Sequence, residues 1–245
     1  MKENKKIDID KTIQDLTSRK LGVIRKPVAG SEKPIGNPAS HANKYYDGPY
    51  HVAHRTDLWK DQSEYRTTGY FSNVRANYTL HCGPTAVTNL LLAVSKRMDN
   101  TWTGRFEEKD LFEIVASEGI RMGLYHNGAW HNLFGGTSDF LAGKYVRGAL
   151  EMAGIHQARV LNATPVQTES FIRWLDDGNL AYLMLHRHEC YRNHHVICNG
   201  YIKLVNEMGE TITYFQIMDG WSSLPRYVDE KSLKGDFYWK IQCDI

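Results

Sequence analysis

The spacing of apolar residues changes character along the chain. Residues 84–96 carry Ala86, Val87, Leu90, Leu91, Ala93 and Val94 on more than one helical stripe, which predicts a helix buried in a core. Residues 107–118 predict an amphipathic helix stopped by Gly119. A third helix is expected from a cap at Thr137 or Ser138 to Met152, with Gly154 as its stop. A fourth opens at Thr164-Pro165 and ends at Asp177-Gly178. Beyond that point the pattern becomes that of strands. Residues 180–186 form a continuous apolar run, residues 195–202 follow, 206–209 read as a turn, and 211–218 and 237–242 complete a sheet. Helices first and antiparallel strands second predict an α+β fold, not a βαβ alternation.

The first 48 residues read differently. A short helix is expected over residues 9–21, but residues 26–49 contain Pro27, Gly30, Pro34, Gly36, Pro38, Gly48 and Pro49. That density of helix and strand breakers predicts a loop, an arm wrapped on the domain, or a pro-segment. The sequence therefore divides into an N-terminal extension (1–48) and one α+β domain (49–245).

Composition narrows the classes. The 245 residues are 42% hydrophobic, enough for a sizeable core, and the formal charge of +2 gives no reason to expect a nucleic-acid or anionic-membrane partner. The 14 Tyr and 6 Trp are scattered, which suits cores and clefts better than base stacking. No stretch approaches the roughly 20 apolar residues of a membrane span. The charged first twenty residues lack the apolar segment of a signal peptide, so a cytoplasmic protein is expected, with a secreted protein whose leader was trimmed as the alternative. Cysteines at 82, 190, 198 and 243 make no CxxC pair and read as mostly free thiols, not a disulfide scaffold.

Three segments carry chemistry. Cys82 immediately precedes the predicted buried helix, where the positive end of the helix dipole should lower its pKa and favour a thiolate. Gly83 removes bulk beside the sulfur, and the Cys82 amide is a natural oxyanion donor. Next, His194 and His195 enter a strand on opposite faces, so one of them can meet Cys82, and alternation alone does not choose. Finally, Asp219 ends the next strand, where it can orient an imidazole under the shelter of Trp221.

Cys82-Gly83-Pro84-Thr85-Ala86, Asn193-His194-x-Val196-x-x-x-Gly200-Tyr201 and Asp219-Gly220-Trp221 together resemble the cysteine, histidine and Asn-Ser-Trp segments of papain-like cysteine peptidases. The cysteine segment is most similar to the bacterial bacteriocin-processing branch. The resemblance spans residues 70–221 in short pieces. It implies a papain-like fold, with a helical N-terminal part and a central helix carrying the cysteine, packed on a mainly antiparallel sheet. It also implies a thiol peptidase cutting a peptide or isopeptide bond of a peptide or protein substrate without a metal or organic cofactor. By this resemblance Cys82 attacks, His194 is acid and base, and Asp219 orients it. The usual oxyanion glutamine is replaced by Ala76, which leaves Asn77 as the nearest amide donor. His81, Gly83, Trp130, His195 and Trp221 are expected to line the substrate site. Two rivals keep these residues: a transglutaminase-like acyltransferase, and an inactive domain that binds peptides.

Two further segments compete. His186-Arg187-His188-Glu189-Cys190 is rich in metal-ligand types but lacks a companion cluster, so no metal is assigned. Residues 123–136, with His126, Trp130 and His131, read equally as a substrate-groove wall or as a connection capping the core.

Overall fold

A seven-stranded antiparallel sheet organises the chain, and its longest strand, fifteen residues over Arg192–Asn206, runs through nearly all of the architecture. The computed structural model describes residues 33–46, 48–57, 78, 80–98, 100–127, 136–222 and 224–243. Helices are α1 (Pro38–Tyr45), α2 (Cys82–Arg97), α3 (Glu108–Arg121), α4 (Ala142–Met152) and α5 (Thr168–Asp176). Strands are β1 (Tyr50–Asp57), the short pair β2 (Tyr125–His126) and β3 (Gly136–Thr137), then β4 (Ala158–Pro165), β5 (Leu180–His188), β6 (Arg192–Asn206), β7 (Thr211–Met218), β8 (Arg226–Asp229) and β9 (Phe237–Cys243). The main sheet is ordered β4-β9-β5-β6-β7-β8, and β1 pairs with the second half of β6.

Alternation along β5 and β6 builds two cores. Tyr182, Met184 and Ile197 face a layer of α2, α3 and α4, where Val87, Leu90, Leu91, Phe112, Tyr145 and Val146 are buried. Ala181, Leu183, Leu185, Val196 and Cys198 face the other way, against Phe171, Ile172 and Leu175 of α5. The expected α+β class, with an antiparallel sheet, is therefore present, although β1 precedes the helical run and β4 precedes α5.

Several boundaries differ. Gly119 lies inside α3, packed against Tyr145, and the turn after that helix falls to Gly123 at φ +67°. Thr164-Pro165 ends strand β4 instead of opening a helix, and α5 begins at Thr168. The β4 residues are mostly exposed, so their apolar signal is thin. Within the presumed arm, Asn37 caps α1 by accepting from Ser40 N–H at 3.0 Å. This segment sits on the sheet: Ile35 bridges Tyr227 of β8, and His41 Nδ1 is 2.8 Å from the Tyr214 hydroxyl. The helix expected over residues 9–21 lies outside the described residues. No helix among the described residues is long and apolar enough to cross a membrane.

Candidate active site

Cys82 is the first residue of α2 and keeps partial exposure. The first N–H groups of a helix have no partner within it, and those of Cys82 and Gly83 bear on the sulfur together with the main-chain N–H of His195 on β6. Burial nonetheless pushes the Cys82 thiol up, the negative charge of Asp139 adds to that, and the three N–H groups only partly offset it. The expectation of a lowered thiol pKa is thus overturned, because desolvation outweighs the helix terminus. Gly83 has another reason than substrate access. A Cβ there would lie 1.9 Å from Thr137 Oγ1, so the space beside the helix is filled by β3.

The two histidines separate as strand geometry requires, but not as the resemblance implied. His195 lies on the α2 face, its ring 5.5 Å from that of buried Tyr182. Its Nε2 is 3.1 Å from Asp139 Oδ1, in the turn Asp139–Leu141 that leads into α4. A neutral imidazole donating from Nε2 to that carboxylate leaves Nδ1, the ring nitrogen nearer the main chain, as the acceptor. Nδ1 of His195 is buried and has no hydrogen-bond partner among the described residues. His194 faces the α5 side, stacked on Tyr191 with an interplanar angle of 8° and lying 4.8 Å from the Trp221 ring. Its Nε2–H donates to the main-chain carbonyl of Asp219 at 2.8 Å. Burial holds its pKa down to about 4. Alternation left both histidines open for Cys82; the one whose main-chain N–H bears on the sulfur is His195, which the resemblance had placed among substrate contacts.

Asp219 does meet His194, but through its backbone. Its carboxylate instead accepts from Tyr191 O–H at 3.1 Å, Trp221 N–H at 2.9 Å and Ser222 N–H at 3.1 Å, closing a turn. Gly220 holds that turn at φ +71°, close against Thr85 of α2. Trp221, half-exposed, lids His194. His81 turns to Thr85, Nδ1 to Oγ1 at 2.9 Å, with its ring edge-on to Phe112. Asn77 and Trp130 lie outside the described residues.

Sequence reasoning missed Asp139 and Asp236, and weighed His186 only as a metal-ligand type. His186 Nε2 is 3.0 Å from Asp139 Oδ2, and its backbone N–H donates to Asp236 Oδ1 at 3.1 Å. Burial works to raise the Asp139 carboxyl, but the bonds from His186 and His195 prevail and hold it well below the usual range. Asp139 in turn, with Asp236, lifts His186 to about 9. With the cap expected at Thr137 or Ser138, Asp139 read as an ordinary acid in the first turn of a helix, which concealed it. Among the other ligand types, His188 Nδ1 accepts from the N–H groups of Cys190 and Tyr191, so it closes the β5–β6 turn.

No protein-family model matches the chain, and no curated protein matches it significantly. Function therefore rests on this geometry.

Proposed function

We propose that the protein is a papain-like thiol hydrolase that cuts a peptide or isopeptide bond through an acyl intermediate on Cys82. The observation that carries this reading is the grouping of Asp139, His195 and Cys82: one imidazole nitrogen of His195 is engaged by a carboxylate, the other is buried without a partner among the described residues, and the His195 main-chain N–H bears on the sulfur. His195 takes the role that the resemblance gave to His194, and Asp139 the role given to Asp219.

Cys82 starts as a thiol. Its proton passes to His195 Nδ1 as the sulfur attacks the carbonyl carbon, and the carbonyl oxygen draws on the N–H groups at the α2 N-terminus. His195 then gives that proton to the leaving amine, the C–N bond breaks, and an acyl-thioester remains. Water, deprotonated by the same nitrogen, hydrolyses the thioester and returns the proton to sulfur. Asp139 holds the ring and stabilises the imidazolium while it exists.

The test is iodoacetamide alkylation of each cysteine, read by mass spectrometry from pH 5 to 9. His195→Ala should slow Cys82 at least about tenfold at neutral pH, whereas His194→Ala should leave it within about twofold. Indifference of Cys82 to His195 would sink the reading. One observation favours a second reading, a peptide-binding domain without turnover: burial keeps Cys82 protonated. Release of new amino termini from peptide substrates, lost in Cys82→Ala, decides against it. Capture of an added amine in the product marks the acyltransferase variant.

A further inference from the structure

We propose that His186 and Asp236 are positioning residues that clamp Asp139 in the orientation in which it holds His195. This rests on the reading above but concerns residues that the reading does not use.

Asp139 lies in the three-residue turn Asp139–Leu141, a short element with no side-chain cap of its own. Its neighbours Phe140 and Leu141 are exposed, so no core packing pins the turn from that side. A carboxylate on such a turn would ordinarily swing. Here both oxygens are engaged, Oδ1 by His195 and Oδ2 by His186 Nε2 at 3.0 Å. His186 is itself fixed from behind. Its backbone N–H donates to Asp236 Oδ1, and its Nδ1 lies 3.5 Å from the same oxygen. Asp236 is fully buried, and its backbone ties it to Leu233 and Val166.

The order is thus a buried carboxylate, an imidazole, a turn carboxylate and a second imidazole, ending beside Cys82. An imidazole between two carboxylates transmits rigidity: Nε2 is bonded to Asp139, while Nδ1 has an ion-pair contact with the Asp236 oxygen that also accepts the His186 backbone N–H. His186 sits on β5 and Asp236 just before β9, adjacent strands whose pairing sets their separation. The sheet therefore positions a turn that belongs to the helical layer.

The experiment measures iodoacetamide alkylation of Cys82 at pH 7 in the full chain, comparing wild type, His186→Ala, His186→Gln, Asp236→Asn and His195→Ala. Cys198, which is fully buried, reports unfolding if it becomes alkylated. The clamp predicts a fall of about five- to tenfold in His186→Ala. It predicts recovery to within about twofold in His186→Gln, whose amide still donates to Asp139, and an intermediate loss in Asp236→Asn. Rates unchanged or faster in both His186 variants, with Cys198 protected, overturn the proposal. Equal losses in His186→Ala and His186→Gln also overturn it, since a donor without rescue does not position. Dependence on His195 without dependence on His186 defeats the clamp and leaves the hydrolase reading standing. Independence from His195 defeats both.

Discussion

The two sides of β6 near its start give adjacent histidines opposite settings. On one side the His195 ring meets the Asp139 carboxylate, itself tied to a second imidazole, and its main-chain N–H bears on the Cys82 sulfur. On the other, one residue away, His194 is enclosed by Tyr191 and Trp221 and bonded to a carbonyl. The first setting combines an acidic partner with an unoccupied basic nitrogen, which suits proton transfer. The second desolvates the ring and gives it no anion, which suits a neutral, structural imidazole. Residue type does not separate the two histidines; the layer each one faces does.

The sharpest way to break this contrast is turnover. Once a substrate is found, His195→Ala should lower kcat by about a thousandfold, in line with loss of general acid–base catalysis, and His194→Gln by less than about tenfold. The reverse order, measured by steady-state kinetics, would return the active role to His194.

Acid stability gives the next largest effect. His194 is near 4 when folded and 6.5 when unfolded, so between those values the unfolded chain binds the extra proton. Its neutral form is therefore fully accommodated above pH 6.5, and stability falls as pH drops from 6.5 towards 4, by about 3 kcal/mol in total. Urea unfolding at pH 7 and pH 4.5 should show a shallower acid loss in His194→Gln than in wild type. On the opposite side the sign reverses. His186 is lifted to about 9, so its contribution is complete below pH 6.5 and is lost as pH rises through 9.

Packing beside the sulfur comes third. Gly83→Ala drives a methyl into Thr137 and should destabilise by about 2 kcal/mol despite the gain in helix propensity. Thr137→Gly in the same chain should recover most of it, as read by thermal melts. Tyr191→Phe, which removes the hydroxyl donated to Asp219, is the smallest, at about 1 kcal/mol.

Much of the fold was legible because burial is strongly periodic there. The runs of α2, β5 and β7 are apolar enough to reveal their extents, and β7 begins and ends where its pattern does. Strands β1, β4 and β8 were not seen. β1 and β4 are largely exposed, and β8 has four residues, so each owes its form to a partner strand and not to its own pattern. In the candidate site, Cys82 and the opposed histidines were visible from local rules. Asp139 was not, because its meaning depends on His186 and His195 arriving from distant sheet strands. The short match around His194 and Asp219 selected two residues that do associate, though through the Asp219 carbonyl and not its carboxylate.

The arm at residues 33–46 has a consequence for self-association. Strand β8 ends the sheet, and such a strand offers unpaired N–H and carbonyl groups to any passing chain. Ile35 takes up one of these positions, its carbonyl accepting from Tyr227 N–H at 3.0 Å, while Ile35, Ala42 and Tyr46 cover the apolar residues nearby. The segment acts as a selvedge on the fabric of the sheet. Cut away, it would leave a raw border prone to joining with another copy, so clipping of this arm would first be felt as aggregation rather than as altered chemistry at Cys82.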